Sequence, residues 1–86
     1  MTNNELLKKK IIYRGTHRGS KEMDLLLGSF VNFYIDNFNS VELRDLHTLT
    51  FVEDEILYKW HFNKIKNTSI KDNKVSLLFQ NFNCKF

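Results

Sequence analysis

The sequence predicts a small all-α domain, a bundle of five short helices. Two apolar stripes carry that expectation. Met23, Leu26, Leu27, Phe30 and Tyr34 recur at i, i+3, i+4, i+7 and i+11, and Val75, Leu78, Phe79 and Phe82 repeat the first four of those spacings. No stretch alternates apolar and polar residues as a half-buried strand would, and no hairpin turn separates two such stretches. With 86 residues the chain is expected to form one domain, 1–86. A domain of that size buries only roughly 60–65% of its unfolded surface, so its core has little to spare.

The elements follow in chain order. A first helix is predicted from a cap at Asn4 to about Arg14, with Leu7 and Ile11 one turn apart, Gly15 as its stop, and Lys8, Lys9 and Lys10 on a solvated face. The second begins near Gly19 or Ser20 and runs to about Ile35, and residues 36–39 connect it onward. Ser40 is the predicted cap of a third helix whose buried stripe is Leu43, Leu46, Leu49 and Thr50, with Glu42 and Asp45 outside and His47 packed along the stripe's edge. Asp54 is the predicted cap of a short fourth helix carrying Leu57, Trp60 and His61 and ending near Asn63. Asn67, Thr68 and Ser69 are cap-forming residues ahead of the fifth, and the aromatic residues are read as core.

Charge is distributed unevenly around a net +3. Six basic residues (Lys8, Lys9, Lys10, Arg14, Arg18, Lys21) face only Glu5 in the first 21 positions, whereas residues 36–58 hold Asp36, Glu42, Asp45, Glu53, Asp54 and Glu55 against Arg44. The basic start suits phosphate and Tyr13 suits base stacking, but the acidic middle repels the same polyanion, which disfavours nucleic acid as a partner. A nucleic-acid-binding bundle and a general protein-interaction module stay as the alternatives.

Enzymatic chemistry is not indicated. There is no glycine-rich phosphate loop and no HExxH, and His17, His47, His61 and Cys84 are too scattered to read as a metal site. Glu22 and Asp24 lie two apart on a helix and face different ways, so they do not form an acid–base pair. Cys84 is a lone thiol near the end of the chain, in keeping with a reducing compartment. The start at Met1 shows no apolar signal core, and no run approaches the ~20 apolar residues of a membrane span. A bacterial cytoplasmic protein without membrane insertion is the expectation.

The most informative segment is RGSKEMDLLLG, Arg18 to Gly28. Arginine and glycine stand at the entrance of the second helix, and Glu22 sits in its first turn, where unpaired N–H groups and the helix dipole favour a carboxylate. Taken alone the pattern also fits a plain helix cap with a permissive glycine and a surface arginine.

Arg18, Gly19, Glu22 and Asp24 reproduce an RGxxExD motif, so the chain resembles the small flavinylation factors of succinate dehydrogenase, the SdhE type in bacteria and succinate dehydrogenase assembly factor 2 in mitochondria. Tyr13, Arg14 and His17 before the motif, Leu25 to Gly28 and Phe30 after it, and the run Leu57, Tyr58, x, Trp60 behind the acidic cluster 53–55 extend the similarity over about residues 12–61. The chain departs from the family pattern at Ser20, which replaces a methionine or threonine, at Ile56, which replaces an acid, and in having no proline.

What the resemblance implies is a five-helical fold and a chaperone-like FAD assembly factor. It would bind the flavoprotein subunit of succinate dehydrogenase, with that of fumarate reductase as a second client, and promote covalent attachment of FAD to a client histidine. FAD would belong to the client, with no cofactor held stably here and no catalytic residue. Arg18 would offer its fork to partner oxygens and Gly19 a close backbone approach. Glu22 would cap its helix and accept from the partner, and Asp24 would orient Arg18 or face the partner. Tyr13, Arg14 and His17 would extend that surface, and Tyr58 and Trp60 would brace the motif from behind or join it.

Overall fold

A computed structural model describes residues 2–66 and 70–82. The predicted cap at 67–69 and Cys84 lie outside them. Among the described residues there are five α-helices and no strand: α1 (Asn3–Thr16), α2 (Lys21–Tyr34), α3 (Ser40–Leu49), α4 (Asp54–Phe62) and α5 (Lys74–Gln80), with a 3₁₀ turn at Ile35–Asn37.

The cap of α1 is Thr2, two residues before the predicted Asn4. Thr2 accepts the Glu5 N–H at 3.1 Å, and Asn4 instead donates from its side chain to Ser40 Oγ at 2.9 Å, tying α1 to α3. Gly15 does not end the helix. It is buried within it, and a Cβ there would stand 3.1 Å from Val31 Cγ2. On the facing helix a Cβ at Gly28 would lie 3.4 Å from Thr16 Cγ2 and 3.5 Å from the Gly15 carbonyl. The two glycines let α1 and α2 approach closely, which offsets the ~1 kcal/mol by which glycine weakens a helix interior relative to alanine.

α2 follows the predicted stripe. Ser20 is its cap, and Met23, Leu26, Leu27, Phe30 and Val31 are buried, with Tyr34 partly so. The cap of α3 is Asn39, one residue before the predicted Ser40. Glu42 lies at the third helical position, so Asn39 and Glu42 exchange side chain–backbone hydrogen bonds at 2.9 and 3.0 Å, the reciprocal arrangement that Ser40 has no partner to complete. Glu42 also meets Lys74 at 2.9 Å, which joins α3 to α5. Asn73 and Ser76 build the same box at the start of α5.

The core centres on Phe30, whose ring packs on Tyr34, Phe38, Phe79 and Phe82 at centroid separations of 4.9–6.4 Å. Trp60 stacks on Phe79 from α4 at 6.0 Å. Burying a side chain of this kind contributes about 1.5–3 kcal/mol, so this cluster ties α4 and α5 to α2. His61 is also buried. Its Nε2–H donates to the Phe82 carbonyl at 3.0 Å, and Nδ1 has no hydrogen-bond partner among the described residues. Burial is the main cause holding its pKa below the ordinary value.

Candidate functional site

The segment between α1 and α2 is short, residues 17–20, and it lies against the turn between α3 and α4, residues 50–53. What fastens them is Arg18. Its Nε donates to Asp54 Oδ1 at 2.7 Å, and Nη1 and Nη2 donate to the carbonyls of Thr50 and Val52. The Arg18 side chain is 9% exposed and that of Asp54 22%. A guanidinium withdrawn this far from water requires a carboxylate and further acceptors, and all are supplied by the chain itself.

Asp54 uses its second oxygen on the same segment. Oδ2 accepts the Ser20 backbone N–H at 2.8 Å, so the side chain expected to cap α4 fastens the entrance of α2 instead. The residue at the cap position of α4 is Glu53, without a side-chain hydrogen bond to the helix. Asp24 completes the arrangement by accepting the Arg18 backbone N–H at 3.0 Å. The motif is therefore a latch of two carboxylates, one arginine and two carbonyls, closing the α1–α2 segment on the α3–α4 turn.

Beside the latch opens a groove of about 360 Å³. Tyr13, Arg14, His17, Arg18 and Gly19 form one wall and residues 50–54 the other. Tyr13 and His17 stack at 4.2 Å, one helical turn apart, and His17 Nδ1–H donates to the Tyr13 carbonyl at 2.9 Å. The Arg14 guanidinium lies 3.8 Å over the ring of Phe51. On the other side of Asp54 a depression of about 280 Å³ is lined by Ser20, Met23, Glu55, Tyr58 and Lys59.

Five of the sequence-predicted residues, Tyr13, Arg14, His17, Arg18 and Gly19, thus meet at one groove, and Tyr58 lines its neighbour. Several expected roles change. The fork of Arg18 is occupied by Asp54, Thr50 and Val52 rather than presented outward, because so deeply placed a charge must be satisfied within the fold. Gly19 does not have positive φ, and a Cβ there would meet only Asp54 Oδ2 at an ordinary 3.7 Å. Asp24 orients Arg18 through its backbone, not its guanidinium. Trp60 is buried on Phe79, so it braces the fold and presents no surface to a partner.

Glu22 is exposed in the first turn of α2, with no side-chain partner among the described residues. Sequence reasoning missed Phe51 and the use of Asp54. The acidic cluster 53–55 was the available signal for Asp54, and nothing in the spacing marked Phe51. Among the described residues no group of three His, Cys, Asp or Glu side chains is arranged to hold a metal, and no helix is long and apolar enough to cross a membrane.

A family model described as flavinator of succinate dehydrogenase matches residues 9–83, a wider span than the motifs cover. Mitochondrial succinate dehydrogenase assembly factor 2 of Dictyostelium discoideum is 35% identical over 81 residues, 94% of this chain and 57% of the relative. The FAD assembly factor SdhE of Acetobacter pasteurianus is 31% identical over 58 residues, 67% of this chain and 53% of the relative. The mitochondrial assembly factor 2 of Saccharomyces cerevisiae is 34% identical over 73 residues, 83% of this chain and 45% of the relative. The chain thus spans about half the length of these curated relatives. No solved structure matches.

Proposed function

Because this chain belongs to the family of succinate dehydrogenase flavinators, we propose that it is an assembly factor that binds the flavoprotein subunit of succinate dehydrogenase and promotes covalent attachment of FAD to it. The observation that carries this reading is the family match across residues 9–83, which takes in every residue of the latch and of the groove beside it. The names of the relatives point the same way, one as an FAD assembly factor and two as succinate dehydrogenase assembly factors. The flavoprotein of fumarate reductase is proposed as a second client. A bacterial cytoplasmic setting is proposed with it; the Acetobacter relative supports the bacterial part, while the other two are mitochondrial by name.

The reaction does not require this chain to supply a reacting group. FAD and the acceptor histidine both belong to the client, and what an assembly factor contributes is a client conformation in which the two approach. Holding reactants in that geometry is worth up to about 7–11 kcal/mol of barrier. The latch suits the task because it fixes a surface in advance, so that little conformational freedom is lost on binding. Tyr13, Arg14, His17, Gly19, Glu22 and Tyr58 are the residues that this surface offers.

Co-expression with the flavoprotein subunit tests the reading. After denaturing electrophoresis the client band should fluoresce with covalent flavin when this chain is present and much less when it is absent. Equal fluorescence in both lanes would overturn the proposal.

A further inference from the structure

Phe51 belongs neither to the motif nor to the core. The residue is 59% exposed, yet the backbone on both sides of it is fixed, because the two carbonyls bound by Arg18 are those of Thr50 and Val52. The ring itself is held by Arg14 at 3.8 Å over its face and by His47 edge-on at 5.0 Å. A single exposed phenyl needs no explanation. One whose flanking peptides are both pinned by a nearly buried arginine is a rigid aromatic offered to solvent at the mouth of a groove.

The cation on its face is unpaired: Arg14 has no carboxylate partner among the described residues, and its Nε is buried without an acceptor. After burial, Arg14 and Lys10 are the causes that hold the His47 pKa below its ordinary value. Preorganised aromatic rings and arginines are the side chains that dominate protein interfaces.

We propose that Phe51 is the anchor of the client contact, inserting into an apolar pocket of the flavoprotein subunit rimmed by a carboxylate that pairs with Arg14, and that Arg18 is its positioning residue. This rests on the function proposed above. A second copy of this chain is a poor occupant, since a two-fold contact through this patch sets Arg14 against Arg14. Nucleic acid is another, because Glu53 and Asp54 line the same groove.

The test measures affinity for the purified flavoprotein subunit and covalent flavin incorporation, below the unfolding transition of every variant. Phe51→Ala should weaken binding by about tenfold or more with the melting temperature unchanged, and Phe51→Leu should recover part of the loss. Arg14→Gln should weaken it by about fivefold, an effect that shrinks as salt rises. Arg18→Ala should weaken binding strongly alone but by less than about threefold in the Phe51→Ala background, the non-additivity expected when one residue acts through another. Wild-type affinity for Phe51→Ala, with the wild-type chain active on the client, overturns this inference and leaves the function standing. A wild-type chain that neither binds nor flavinylates the subunit overturns both. A dimer of this chain dissolved by Phe51→Ala overturns it in favour of self-association.

Discussion

Asp54 holds Arg18 with one carboxylate oxygen, at 2.7 Å, and the backbone N–H two residues further along, that of Ser20, with the other, at 2.8 Å. A single side chain on α4 therefore neutralises the motif arginine and fixes the start of α2, so the family motif acts first on the shape of its own surroundings. Glu22, in the first turn of the same helix, has no such tie among the described residues. The motif divides into an inward half, Arg18 and Asp24, and an outward half, Gly19 and Glu22.

That division changes what Arg18→Ala should do. As a surface charge its removal would cost at most ~1 kcal/mol. Deleting it from a mostly buried pair strands Asp54 and two carbonyls, which costs about 2–4 kcal/mol, and in a domain of this size lowers the melting temperature by roughly 10–20 °C. Urea unfolding measures it directly. A loss below ~0.5 kcal/mol would show that the latch does not stabilise the fold.

The helices were legible in the sequence because their cores are local, as the stripe from Met23 to Tyr34 illustrates. Caps of the first four helices were legible to within one or two residues, and the error at Ser40 came from overlooking Glu42, which only Asn39 is placed to answer. The cap of α5 was not: it is Asn73, four residues beyond the last of the expected cap-formers at 67–69. Gly15 was misread because a glycine after a helical run looks the same whether it stops the helix or admits a neighbour. The partner of Arg18 lies 36 residues away, and no local pattern marks such a pair. Phe51 was invisible for a related reason: its exposure is decided by Arg18 and Arg14, not by its own neighbours in sequence.

Stability should fall with acidity through His61. Burial favours its neutral form, so its folded pKa lies below the ordinary 6.5 and the unfolded chain binds more protons in the interval between them. Its contribution is complete above 6.5 and is lost as pH falls from there toward the folded value, with a slope of at most ~1.4 kcal/mol per pH unit. His47 acts in the same direction. Urea midpoints from pH 7.5 to 5 in the wild type and in His61→Gln provide the comparison, and identical slopes would rule out a role for His61.

Gly15→Ala sets two effects against each other. Alanine improves the helix by ~1 kcal/mol, but its Cβ meets fully buried Val31 at 3.1 Å, and overpacking costs about 1–3 kcal/mol. The variant should be neutral to destabilised by about 2 kcal/mol. In a Val31→Ala background, where the obstructing methyl is gone, the same change should stabilise. A Gly15→Ala effect identical in both backgrounds would mean that the two helices do not approach as closely as the structure shows.

The outward half of the motif should separate binding from folding. Glu22→Ala removes an exposed carboxylate without a partner among the described residues, so stability should change by no more than ~0.5 kcal/mol. If that carboxylate accepts a donor of the client in a desolvated contact, the loss of affinity is far larger, about 2–5 kcal/mol, or thirtyfold and more. Gly19 provides the matching control. Alanine fits there, because φ is not positive and Asp54 Oδ2 would stand 3.7 Å from the new Cβ, so Gly19→Ala should fold and act nearly as the wild type does. Gly19→Arg instead projects a long cation from the wall of the groove beside Asp54, obstructing the surface and competing with Arg18 for its carboxylate. It should lose client flavinylation while keeping a melting temperature above that of Arg18→Ala. Thermal unfolding paired with in-gel flavin fluorescence of the co-expressed client reads both quantities for each variant. Full flavinylation by Glu22→Ala and Gly19→Arg together would place the client contact on another face of the bundle.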